Sequence, residues 1–144
     1  TRKESSAASD VYKRQAPEYA KFPGLTAHVA PFCQRMDLAY AVADVAVSRS
    51  GASSLTELSA FGVPTILVPY PFAADDHQRR NADVFTKEGA AIAVEEAEIG
   101  EGKLGGLLLE LLGDAERRAG LAAAMRRLAP RDAAARVCDA IGEK

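Results

Sequence analysis

The sequence predicts an α/β fold, a Rossmann-like parallel sheet with helices on both faces, and three observations carry that prediction. From Leu25 onward short β-rich runs alternate with helical patterns, the order that βαβ units require. The runs are apolar almost without interruption, as strands covered on both faces must be. With 144 residues and 48% apolar content, the chain can bury one core and not two full domains.

The elements follow in order. Residues 1–15, "TRKESSAASDVYKRQ", are polar, show no hydrophobic period and lack a signal-peptide core, so a disordered head is expected. "DVYKRQ" within it reads as a sequencing-library adapter translated in frame. The head is therefore expected to be an artefact joined to a gene fragment that starts near Ala16. "LTAHVAPF" (25–32) reads as a strand and "QRMDLAYAVA" (34–43) as a helix. "DVAVSR" (44–49) is a second strand, and "SSLTELSAFG" (53–62) a helix closed by Gly62. "TILVPY" (65–70) is a third strand after Pro64. "DHQRRNADVFTKEG" (76–89) is a helix ending at Gly89, and "AAIAVE" (90–95) a last strand. The Ala- and Arg-rich tail predicts two helices packed on the sheet, at 114–129 and 130–141, with Pro130 in a first helical turn. Its Arg pairs read as a solvated helix face, with a binding patch as the alternative. Right-handed crossovers put every strand-to-helix loop at one sheet edge, where open α/β sheets bind ligands.

Composition excludes several classes. Eighteen basic and 20 acidic residues give a net charge of −2, so there is no electrostatic footprint for nucleic acid. Cys33 and Cys138 stand alone, without a CxxC pair or a His cluster, which reads as reduced thiols in a cytosolic setting and not as a zinc site. The longest apolar runs fall short of the roughly 20 residues that span a bilayer, leaving peripheral membrane contact as the only kind expected.

Chemistry concentrates in "SRSGASSLTE", residues 48–57. Gly51 is expected to let the chain turn tightly after the strand, and the small residues 52–54 to let a ligand approach the backbone. The first N–H groups of the following helix, with its dipole, suit a phosphate. Glu57 lies one turn deeper than Ser53 on the same face, placed to accept hydrogen bonds from a ribose diol. The same letters also fit a capping box, with Ser54 as the cap and Glu57 folding back onto its amide. Pattern alone leaves both readings open.

"VSRSGASSLTELSAFGVPTILVPYPFAADDHQRRNA", with "VAPFCQRM" before it and "KEGAAIAVEE" after it, resembles the C-terminal, donor-binding domain of the family 28 peptidoglycan glycosyltransferases. The resemblance covers Leu25 to Glu96 and implies the incomplete C-terminal half of a two-domain GT-B enzyme, 16–144, lacking its first βα unit. The implied reaction is transfer of GlcNAc from UDP-GlcNAc to lipid I, forming lipid II, at the cytoplasmic face of the bacterial membrane.

The resemblance also implies residue roles. The main chain at Cys33 would meet the uracil. Amides of Ala52, Ser53 and Ser54 would hold the diphosphate, with Leu55 and Thr56 in the same helix start. Glu57 would hold the ribose hydroxyls and Gln78 the hydroxyls of the transferred sugar. His77 reads as part of the helix start and not as a base. Asp75, Asp76 and Asn81 read as caps of that helix, with cleft lining as the alternative. Donor binding without metal is implied, so neither a protein-held metal nor a cofactor is expected. The base that activates the acceptor is expected from the N-terminal domain of such enzymes, so this chain by itself is expected to show no turnover. Rival readings are the donor half of another UDP-sugar GT-B enzyme, a UDP-GlcNAc epimerase, and a non-catalytic nucleotide- or partner-binding module.

Overall fold

The computed structural model describes residues 14–142, without the side chains of residues 74, 133, 134 and 136. The expected disordered head lies outside the described residues except for positions 14 and 15, which open a helical stretch, α1, over 14–19. The chain divides into two compact units, Thr1–Asp37 and Leu38–Lys144.

In the first unit α1 is followed by irregular chain, with exposed ion pairs Lys21–Glu18 and Arg35–Asp37. The strand expected at 25–32 is absent: that segment belongs to no ladder. A β-prone run becomes a strand only when a neighbour accepts its hydrogen bonds, which local propensity cannot supply.

In the second unit three parallel strands lie in the order β1-β2-β3: β1 (Ala46–Ser48), β2 (Thr65–Leu67) and β3 (Ala91–Ala93). Val47, Ile66 and Ile92 are in register, so they share one face, while the residues flanking them point to the other. Helix α2 (Met36–Val42) precedes β1, α3 (Ala52–Phe61) joins β1 to β2, and α4 (His77–Lys87) joins β2 to β3. After β3 come α5 (Glu96–Ile99), α6 (Lys103–Gly113), α7 (Ala115–Leu128) and α8 (Ala133–Gly142).

Both faces of the central strand β2 are covered, as its apolar run requires, whereas Val47 of the edge strand β1 is 46% exposed. On one face Leu67 and Ala91 pack with Leu55 of α3 and Ala82 of α4. On the other, Ile66 and Val94 pack with Leu111 of α6 and Leu121 of α7. Met125 and Ala124 of α7 continue round to Leu58 of α3. Ile66 and Leu67 are wholly buried, each contributing about 1.5–3 kcal/mol of hydrophobic stabilisation.

Glycine closes the two crossover helices where expected. Gly62 and Gly89 have φ of +66° and +64°, a left-handed conformation that a side chain disfavours. The next amides, of Val63 and Ala90, donate back to Leu58 O (3.0 Å) and Phe85 O (2.8 Å). The tail differs from expectation. Pro130 lies before α8 and not in its first turn, because Asp132, at φ +55°, breaks helical geometry between them. Nor does α8 pack on the sheet: Val137 and Ile141 are 58% and 71% exposed. The tail arginines are more than a solvated face. Arg118 donates to Leu111 O and Leu112 O at the end of α6, and Arg126 to Phe61 O at the end of α3. Cations there satisfy the last carbonyls and oppose the negative dipole end.

Candidate functional site

Because all three strands run parallel, the loops after β1 and β2 leave from the same carboxyl edge. The first loop, Arg49–Gly51, enters α3, and the second reaches α4 through a short 3-10 turn at Ala74–Asp76. Ser50 ties the two together. Fully buried, it donates from Oγ to Gln78 O (2.7 Å) at the start of α4, while Asn81 Nδ2 donates to Ser50 O (3.1 Å). The ends of α3 and α4 are thereby fixed side by side.

The start of α3 is open. Its N-cap is Gly51, at φ −69° and ψ 144°, with no side-chain cap hydrogen bond. The capping box expected from Ser54 and Glu57 does not form, because the helix begins two residues before Ser54 and places it inside the first turn. Gly51 itself is extended, in a conformation any residue adopts, so no tight turn demands glycine there. A Cβ there would meet nothing within 4 Å. The first intrahelical bond is Leu55 N to Gly51 O (3.0 Å), and the amides of Ala52, Ser53 and Ser54 precede it. Ala52 and Ser53 are exposed and Ser54 half-buried. Leu55 turns its side chain into the core, and Thr56 donates from Oγ1 to Ala52 O (2.9 Å), so both build the helix.

Glu57 is exposed, and its Oε2 accepts from Tyr40 Oη at 3.0 Å. Burial, then the Glu57 hydrogen bond and charge, push the Tyr40 hydroxyl up to about 12, so it remains a donor at neutral pH. Gln78 is half-buried, and its Oε1 accepts from Tyr70 N (3.0 Å). Since an amide N–H can only donate, that bond identifies the oxygen of the Gln78 amide and makes Nε2 its donor end. Arg49 clamps the ends of β1 and β2 by donating to Val68 O and Pro69 O. It pairs with Glu96 (2.5 Å) and lies 5.5 Å from the Tyr70 ring centroid.

Asp76 is the N-cap residue of α4 but makes no side-chain cap hydrogen bond, and Asp75 and Asp76 both have positive φ. Asn81 is not a cap; it serves the Ser50 tie. Ala52–Glu57 and Gln78 are thus brought to one edge of the second unit. Cys33 belongs to the first unit, where it is exposed with a free thiol. Sequence reading missed Ser50, Arg49 and Tyr40. Asn81 was singled out, but as a cap, and its bond to Ser50 spans 31 residues that no local spacing connects. Among the described residues no three His, Cys, Asp or Glu side chains gather as metal ligands, and no helix is long and apolar enough to cross a membrane.

Comparison with known proteins places this geometry. Residues 6–137 match the glycosyltransferase family 28 C-terminal domain. The chain is 43% identical over 109 residues to a Desulfotalea psychrophila protein named UDP-N-acetylglucosamine--N-acetylmuramyl-(pentapeptide) pyrophosphoryl-undecaprenol N-acetylglucosamine transferase, covering 76% of this chain and 30% of that one. To the Halorhodospira halophila protein of the same name it is 48% identical over 111 residues, covering 77% and 31%. The crystal structure of Acinetobacter baumannii MurG superposes with a TM-score of 0.85 at 32% identity, over 92% of this chain and 40% of that one. The chain thus spans about a third of the length of these curated relatives. With its parallel sheet, open helix start and family match over most of its length, the chain belongs to the glycosyltransferase family 28 C-terminal domain family.

Proposed function

We propose that this chain is the UDP-GlcNAc-binding part of an inverting glycosyltransferase that transfers GlcNAc to lipid I, forming lipid II in peptidoglycan biosynthesis. The relatives' names support the donor and acceptor, and the open start of α3 is the observation that carries the reading. Amides of Ala52, Ser53 and Ser54, with the positive end of the dipole, receive the diphosphate, an interaction of about 0.3–2 kcal/mol. Glu57 accepts from the ribose hydroxyls. Gln78 donates from Nε2 to a hydroxyl of the sugar. Leu55 and Thr56 act by shaping the helix start.

In the reaction the acceptor hydroxyl attacks the anomeric carbon, its configuration inverts, and UDP leaves. Charge grows on the diphosphate as that bond breaks, so donors waiting at α3 stabilise the transition state more than the ground state. The acceptor, its activating base and peripheral contact with the cytoplasmic face of the membrane are assigned to the rest of the longer enzyme, and neither metal nor cofactor is invoked. Calorimetric titration of UDP-GlcNAc into the chain, beside UDP-glucose and the Glu57→Ala variant, tests this. Saturable binding that prefers the N-acetyl sugar and weakens about tenfold or more in Glu57→Ala is expected, the loss of a charge-assisted bond. A folded chain that binds neither nucleotide sugar refutes the reading.

A further inference from the structure

We propose that Tyr40 is a positioning residue for nucleotide recognition, holding the Glu57 carboxylate in the orientation that reads a ribose diol; this rests on the ribose role of Glu57 given above. Glu57 stands exposed on α3, and a free glutamate there would scatter among rotamers and lose affinity by ordering on binding. Tyr40 Oη donates to Glu57 Oε2 at 3.0 Å across 17 residues of sequence, so the carboxylate is ordered before any ligand arrives. The donor is itself rigid. The Tyr40 ring lies 5.7 Å from that of Phe61 and packs on the core formed by Leu58, Val63 and Met125, which fixes both of its side-chain torsions.

The phenol has one O–H to donate, and Glu57 Oε2 accepts it. A carboxylate offers about four acceptor positions, so Oε1 and the second lone pair of Oε2 remain for a vicinal diol. Tyr40 therefore contributes without touching the nucleotide.

The test compares UDP with 2′,3′-dideoxyuridine diphosphate, which lacks the diol, on the full chain and its Tyr40→Phe, Glu57→Gln and double variants, with thermal melting as the check on folding. Tyr40→Phe is expected to weaken UDP about three- to tenfold and to leave the dideoxy ligand within about twofold, since only the diol contact depends on the orientation of Glu57. The double variant is expected to lose no more than Glu57→Gln alone, because both substitutions act on one interaction. A Tyr40→Phe loss shared equally by both ligands shows a general structural role and overturns the inference. So does tighter UDP binding by Tyr40→Phe, which would make the tyrosine a competitor for Glu57. If Glu57→Gln weakens UDP while Tyr40→Phe does not, the inference fails alone. If Glu57→Gln leaves the UDP preference intact, the ribose reading beneath it fails first.

Discussion

Helices α3, α4 and α6 begin without side-chain caps, whereas α5 and α7 close their own N-termini. Asp114 accepts from Arg117 N (2.9 Å) at the start of α7, and Glu95 and Glu98 form a reciprocal capping box at the start of α5. Since α5 follows β3 as α3 follows β1, position at the carboxyl edge does not by itself leave a helix uncapped. The capped starts spend their donors on the chain. The open ones leave theirs unspent, forgoing the roughly 1 kcal/mol that a good cap adds; at α3 those amides are the ones proposed above for the diphosphate.

Capping α3 artificially is the sharpest way to break this contrast. Gly51→Asp fits the existing backbone and open space, and is expected to hold or raise the melting temperature. Its carboxylate, about 5 Å from a bound diphosphate, costs about 3 kcal/mol at an effective dielectric near 20, on the order of a hundredfold in affinity. Calorimetric binding equal to that of the parent chain would show that the open start is no anion seat. Next in size, Ser50→Ala leaves Gln78 O without its buried donor. A loss of about 1–3 kcal/mol in chemical denaturation is expected, with weaker UDP-GlcNAc binding, because both helix starts shift.

Asp114→Ala sits on the other side of the comparison. A loss of about 1 kcal/mol in stability with donor affinity unchanged is expected, and any change in affinity would blur the division between capped and open starts. The smallest effect is a pH dependence at α5. The Lys103 ammonium, then the Glu95 amide, hold the Glu98 carboxyl below its usual 4.5. A lowered folded value means stability present above 4.5 and lost as the pH falls through the folded value. Acid titration followed by exchange of the Glu95 amide should show this protection fading, and Glu98→Gln should remove the pH dependence.

Much of the second unit was legible because its elements carry local signatures. Apolar runs located β1, β2 and β3, and Gly62 and Gly89 marked helix ends since each supplies a left-handed residue. Leu104, Leu107, Leu108 and Leu111 repeat at helical spacing, so α6 was readable, although only its apolar length was weighed. Residues 25–32 misled because a β-rich run says nothing about whether a partner strand exists. At the site, the helix start and Glu57 were visible as a motif, but "SLTE" suggested a box that the frame of the helix excludes. The Tyr40–Glu57 and Ser50–Gln78 bonds span 17 and 28 residues, and no short pattern encodes a contact made only by packing.

The Ser50 tie also bears on how such a site changes over generations. Ser50 grips the main-chain oxygen of Gln78, and Asn81 grips the main-chain oxygen of Ser50, so neither bond depends on which side chain occupies position 78. A lineage can therefore exchange the side chain at position 78 while the join between the two helix starts stays intact. Side-chain chemistry and scaffold integrity thus rest on separate atoms of one residue.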